Sequence, residues 1–309
     1  EPFPINQPNV FWVQGDRGRE ATAVGGAVRL FGNCLTFTPS DQPEVALRSA
    51  ANGVFSTRVA TADPYAVAAD WNGLPVPKPG DYEVLFRRNA DEPFLVAGKL
   101  RVSEPTAEYP NEVFNVTEFG AIANDGIDDT EAILAALEKL AANGGGTLLV
   151  PRGRFQMTAT IELPPRSILR GEGADLSQIY WPDTYEPVEA LVRGEHSFEV
   201  ADLFLACGFH QDGIVGNPAV PKTPLAPEEA ANYRSGHITI RNVTLRMLYS
   251  QFVNGDKEEL KRRLSLLHYT RALRLGGENI DIVNNDIYCA AGGVFELRAY
   301  WSRVAGNRF

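Results

Sequence analysis

Residues 114–173 read FNVTEFGAIANDGIDDTEAILAALEKLAANGGGTLLVPRGRFQMTATIELPPRSILRGEG, and this stretch decides the fold. The order it predicts is a strand, an amphipathic helix, then short strands separated by Gly and Pro. Asp128, Asp129 and Thr130 supply N-cap oxygens and negative charge for the first turn, and Glu131 stands three residues after Asp128 as in a capping box. Ile133, Leu134, Leu137 and Leu140 recur at helical spacing, so one stripe is apolar. Asn143-Gly144-Gly145-Gly146 ends the helix, because glycine enters the left-handed region freely. Thr147-Leu148-Leu149-Val150 follows without polar alternation, as in a strand buried on both faces.

This run resembles the opening of the pectate-lyase-like right-handed parallel β-helix superfamily, in the branch that holds polygalacturonases and phage tailspikes. The shared pattern FGAxxDGxxDDTxAI…GGGxxxxPxGxF is matched over about sixty residues. The resemblance implies an all-β chain with an N-terminal capping α-helix, followed by coils whose inward side chains stack on one another. It implies activity on polysaccharides more loosely.

The later sequence carries its own repeat. Four segments share one spacing of apolar residues: Phe198/Val200/Leu203/Leu205, Ile238/Ile240/Val243/Leu245, Ile280/Ile282/Asn285/Ile287 and Ser302/Val304/Asn307/Phe309. The last two lie 22 residues apart, the length of one coil. The earlier offsets, 40 and 42, equal two coils or one coil with a long connection. Asn285 and Asn307 hold the same place in successive repeats, as expected of an internal asparagine ladder at a bend. The repeat is still running at Phe309, and a solenoid needs a cap over its core and edges, so the expectation is a β-helix truncated within its coils, with the remainder of the same protein as its partner.

Residues 1–106 have a different texture. Val10–Val13, Ala27–Phe31, Val45–Leu47, Tyr82–Phe86 and Leu95–Val102 read as short strands punctuated by Gly, Pro and Asp, predicting a β-sandwich. The pieces at 25–33 and 79–84 resemble bacterial immunoglobulin-like modules of the TIG type. The expected organisation is an Ig-like sandwich at 1–106, a linker at 107–113 within a Pro-bearing connecting run, and the N-terminal part of a β-helix at 114–309.

Composition narrows the function classes. The 309 residues carry 39 acidic and 29 basic side chains, net −10, which excludes general affinity for nucleic acid or an anionic membrane surface. No apolar run reaches the roughly 20 residues of a membrane span. Cys34, Cys207 and Cys289 are isolated, with neither metal nor redox spacing. A secreted, periplasmic or cell-surface location follows from the resemblance alone.

Asp125, Asp128 and Asp129 are explained by capping and loop hydrogen bonds. The aspartate and Gly-His-Gly motifs that the resemblance would place on hydrolase coils are missing, and Ala290-Ala291-Gly292-Gly293 occupies a turn where a Gly-Asp-Gly is common. Two polar stretches, 206–236 and 249–272, read instead as long insertions that build one wall of a groove. In the first, His210 and Asp212 read as a base with its orienter or as members of a metal site, the bland alternative being a solvated loop pair. In the second, Tyr269 and Arg271 suit abstraction of an acidic C5 proton beside a cation. Arg262 and Arg263 could clamp a uronate carboxylate, and Tyr300 and Trp301 could stack on sugar rings, though a solvated helix face and core aromatics explain them too. No metal ligands are evident; Ca²⁺ is a possible cofactor only for a lyase. The expectation is a polysaccharide lyase or glycoside hydrolase acting on an acidic or complex glycan, the alternative a non-catalytic carbohydrate-binding stalk or adhesin.

Overall fold

A computed structural model of the chain describes residues 6–103, 109–183, 188–217, 236–248, 256–266, 270–290, 293–300 and 302–309. The chain divides into two compact units, Glu1–Pro105 and Thr106–Phe309.

The first unit holds two five-stranded sheets. One runs Gly18–Arg19, Asn9–Gly15, Ala27–Asn33, Ala66–Asp70, Arg58–Ala62; the other runs Ala21–Ala23, Leu95–Ser103, Gly80–Arg87, Glu44–Ser49, Gly53–Ser56. Alternation of side chains along each strand puts Val28, Leu30 and Val67 of the first sheet into one core with Leu47, Val84, Phe86 and Leu100 of the second.

The second unit opens with helix α1, Thr130–Ala142. Its buried stripe is Ile133, Ala136, Leu137 and Leu140, which joins the core of the first coil through Leu148, Val150 and Phe155. Leu134, expected in that stripe, is instead exposed at the edge of the face. The cap also differs from the expected box. Asp128 Oδ1 accepts from the Thr130 backbone N–H at 3.0 Å, whereas Asp129 braces the loop by accepting from Ile122 N and Gln156 N. At the other end Gly145 N donates to Leu140 O and Gly144 N to Ala141 O, closing a Schellman turn with Gly144 at φ 78°.

All strands beyond α1 pair in parallel, coil upon coil, on three faces. Face one carries Gly146–Val150, Ser167–Gly171, the first halves of Phe198–Cys207 and Ile238–Met247, Ile280–Val283 and Arg303–Ala305. Face two carries Gly153–Gln156, Ser177–Trp181, the second halves of the same two long strands, and Asp286–Cys289. Face three carries Ile161–Leu163, Val188–Gly194, His210–Gly216, Arg271–Glu278 and Gly293–Tyr300. The repeat segments align as their spacing demands: Val200 on Ile240, Ile240 on Ile282, Ile282 on Val304. The 40- and 42-residue offsets are therefore single coils with long connections.

Backbone conformation makes two corners. Between faces one and two, Asp202, Asn242, Asn284 and Gly306 occupy equivalent positions at φ 51–67°. Between faces three and one, Arg166, Ser197, His237 and Asn279 do the same at φ 47–63°. A left-handed residue turns the chain in a single step, and its repetition in register keeps successive coils superimposed. Inside the first corner the asparagine ladder forms: Asn285 Oδ1 accepts from Val243 N at 2.9 Å, and Asn307 Oδ1 accepts from Asn285 N at 2.9 Å.

The reading of 206–236 as one insertion is corrected by this register. Residues 206–216 complete one strand and form another, so they belong to the coil, and the rest of the connection to Ile238 runs through residues 218–235, outside the described residues. That connection joins face three to face one, while the one from 248 to 270 joins face two to face three. The two leave different corners, so they do not rise together from one edge.

Candidate functional site

Face three gathers charge on three successive coils. Asp212 comes from His210–Gly216, Arg271 and Arg274 from Arg271–Glu278, and Glu296 and Arg298 from Gly293–Tyr300. The sheet brings them together because neighbouring parallel strands lie about 4.8 Å apart, within reach of long side chains. Arg274 Nη1 donates to Asp212 Oδ2 at 3.0 Å, and Arg271 Nη1 lies 3.6 Å from Asp212 Oδ1. On its other side Arg271 Nε meets Glu296 Oε2 at 2.8 Å, and Arg298 Nε meets Glu296 Oε1 at 3.1 Å. Gly293 stands in register with Arg271, and its Cβ direction opens onto empty space.

Asp212 is the unusual member. It is 6 % exposed, with its Oδ1 buried beside Arg271, whose backbone N–H and guanidinium both act on the carboxylate. Burial raises its pKa, opposed by the Arg274 hydrogen bond and by the charges of Arg274 and Arg271. The result is a nearly buried carboxylate between two guanidinium groups that reach solvent, its affinity for a proton set by burial against fixed positive charge. Gly213 next to it permits close packing, since a Cβ there would lie 2.4 Å from Ala272 O.

His210 is placed differently from the expected loop base. It lies in the core, 0 % exposed, edge-on to Trp181 with ring centroids 6.1 Å apart and planes at 77°. Burial pulls its pKa down to about 3, so the ring is neutral at physiological pH. It faces no groove, and this burial removes it as a surface proton acceptor.

Helix α2, Lys257–Leu266, carries the proposed clamp residues. Arg263 Nη1 reaches both oxygens of Asp183, at 2.7 and 2.8 Å, its Nε bonds Glu259 at 2.7 Å, and its guanidinium lies 5.0 Å over the Phe209 ring. Arg262 pairs with Glu259 at 2.8 Å. Both cations already sit on carboxylates of this chain, and Arg263 ties α2 to the corner between faces two and three. Tyr269 and Trp301 lie outside the described residues, as does the side chain of Tyr300, whose backbone ends the strand Gly293–Tyr300. Of the residues expected from sequence, the structure brings together Asp212 and Arg271. Arg274 and Glu296 were missed, although Glu296 follows Arg274 by one 22-residue coil, the period already visible in the repeat.

No group of three or more His, Cys, Asp or Glu side chains is placed to hold a metal ion among the described residues. The Ca²⁺ expectation thus finds no ligand set there. No helix is long and apolar enough to cross a membrane among the described residues.

No family model matches the chain. It is similar to the mannuronan C5-epimerase AlgE1 of Azotobacter vinelandii, 35 % identical over 65 residues, which is 21 % of this chain and 5 % of that protein. AlgE3 of the same organism is 44 % identical over 45 residues, 15 % of this chain and 2 % of that protein. The matched stretches therefore span a small fraction of the curated relatives. Among solved structures, the A-module of A. vinelandii mannuronan C-5 epimerase AlgE6 matches at 20 % identity and a TM-score of 0.37, covering 61 % of this chain and 56 % of that one. A Thermotoga maritima exopolygalacturonase matches at 14 % and 0.32, covering 65 % and 55 %. At these TM-scores the architecture rests on the strand registers themselves.

Proposed function

We propose that this chain belongs to a secreted, polysaccharide-active enzyme that works on an acidic glycan along face three, with an immunoglobulin-like module ahead of the β-helix. One observation carries the reading: Asp212, a nearly buried carboxylate held between Arg271 and Arg274, whose guanidinium groups reach solvent. The names of the curated relatives, mannuronan C5-epimerases, support a uronan substrate.

The reaction class is abstraction of the proton at C5 of a uronate residue. Arg271 and Arg274, paired with carboxylates of this chain but partly open to solvent, turn their outer N–H groups to the sugar carboxylate, so the electron pair left at C5 spreads onto it. Asp212 accepts the proton. Return of a proton to the opposite face gives the C5 epimer; expulsion of the O4 substituent gives an unsaturated end and a cleaved chain. Both outcomes share the first step, and the choice between them belongs to groups that protonate or expel.

The test is solvent isotope exchange. The protein, incubated with oligomannuronate in D₂O, is expected to exchange or lose the C5 hydrogen: an epimer carries deuterium at C5, and an unsaturated sugar, with its C4=C5 double bond, has no hydrogen there, both read by NMR. Asp212→Asn is expected to lower that exchange about 10²–10⁴-fold. Exchange at the wild-type rate in both Asp212→Asn and Arg271→Ala would remove face three from the chemistry.

A further inference from the structure

Face two carries a second polar surface that the proposed chemistry does not use. Arg154, Gln178, Phe204 and Thr244 are register partners on four successive coils, forming one outward column. With Asn124, Asp175 and Leu176 from the adjoining corner they line a groove of about 420 Å³. That volume lies within the roughly 300–1,000 Å³ of small-ligand sites. Arg154 is exposed and makes no ion pair among the described residues, and the side chains of Gln178, Thr244 and Asp175 make no hydrogen bonds among them either. This differs from face three, where Arg271 and Arg274 are already engaged with carboxylates. Phe204 is half-buried and Leu176 is 39 % exposed, so an apolar floor lies beside the free donors.

We infer that this groove is a glycan-binding subsite, separate from face three, that holds a sugar residue bearing a carboxylate. Phe204 offers a ring for the apolar face of a pyranose. Arg154 presents a forked cation to the carboxylate, and Gln178, Thr244 and Asp175 supply partners for hydroxyl groups. Four coils at about 4.8 Å each give a column about as long as a short run of sugar residues. Nucleic acid is a poor occupant, because the groove holds a single arginine in a chain of net charge −10.

The inference rests on the reading that the protein handles an acidic glycan, and the experiment separates the two. Binding of a mannuronate hexasaccharide and of its carboxyl-reduced, neutral counterpart is measured by calorimetry on the Asp212→Asn protein, which leaves the ligand unconverted. Adding Arg154→Ala is expected to weaken binding of the acidic sugar about ten-fold, and Gln178→Ala to weaken it several-fold, with thermal midpoints unchanged because both side chains reach solvent. The neutral sugar should bind more weakly and lose nothing with Arg154→Ala. Equal affinity of the Arg154→Ala protein for the acidic sugar overturns the subsite, as does equal affinity of the unaltered groove for both sugars. Loss of binding in Arg154→Ala, with neither C5 deuteration nor an unsaturated product from the wild-type enzyme, keeps the groove and sinks the face-three chemistry. C5 exchange with Arg154-independent binding does the reverse.

Discussion

Asn285 and Asn307 lie one coil apart with their side-chain amides in contact: Asn285 Nδ2 donates to Asn307 Oδ1 at 2.9 Å and also to Ile240 O at 2.9 Å. Asn285 Oδ1 accepts from Val243 N, and Asn307 Nδ2 donates to Ile282 O at 2.7 Å. Each side chain thus satisfies backbone groups of the preceding coil, at a bend where strand pairing is interrupted.

Asn285 is 2 % exposed, so its removal strands buried donors and acceptors that water cannot reach. Asn285→Ala is expected to cost about 2–4 kcal/mol in chemical unfolding. Asn307→Ala, at a half-exposed position, should cost less, about 1 kcal/mol. Equal losses at the two positions would mean that burial does not govern the ladder.

Ile240, Ile282 and Val304 stack in one row, with Ile282 at 1 % exposure between its neighbours. Ile282→Val should cost about 1 kcal/mol, the loss of one buried methylene. Ile282→Asp places a charge inside the apolar core that Ile282 shares with Ile240 and Ile280, so several kcal/mol are expected. A thermal midpoint unmoved by Ile282→Asp would contradict this inward register.

These rows were legible because a parallel solenoid repeats its inward residues at a fixed spacing, and Val200, Ile240, Ile282 and Val304 keep that spacing across connections of different length. The segment 206–216 was not legible for the opposite reason. His210, Asp212 and Gly213 have loop composition, yet each meets a specific need of a buried strand: close packing at Gly213, an uncharged ring at His210, an ion pair at Asp212. His210 and Asp212, two residues apart, share a side in a regular strand. Here His210 is in the core while Asp212 faces arginines that reach solvent. Pairing across coils decides that difference, and one segment does not display it. The groove on face two escaped notice similarly, since Arg154, Gln178, Phe204 and Thr244 are separated by 24 to 40 residues and become neighbours only through strand register.

The corner residues invite a backbone test. Asn284 is exposed at φ 57°, a conformation that costs a β-branched residue about 1–2 kcal/mol. Asn284→Gly should leave stability within about 0.5 kcal/mol, because glycine enters this region without strain. Asn284→Val should lower it by about 1–2 kcal/mol in denaturant titration. If Gly and Val substitutions proved equal, left-handed geometry would not be what the corner selects.

The last prediction concerns the pH dependence at Asp212. Burial holds its pKa above the ordinary 3.8, while the Arg274 hydrogen bond and charge pull it back down. As the proton acceptor, Asp212 must be ionised, so exchange at C5 should rise as pH climbs through the folded-state pKa. Arg274→Ala removes the largest opposing influence, leaving burial and the more distant Arg271. The rising limb should therefore move to higher pH in Arg274→Ala, beyond any drop in the maximum rate. Stability follows the same sign. A carboxyl whose pKa is raised on folding contributes most below its unfolded value, and that contribution is lost as pH rises through the folded value. Asp212→Asn cannot ionise, so its stability relative to wild type should increase across that window. Rate–pH profiles of wild type and Arg274→Ala, with unfolding curves of Asp212→Asn over the same range, decide the matter. A limb that stays in place in Arg274→Ala means that the titrating base is another group.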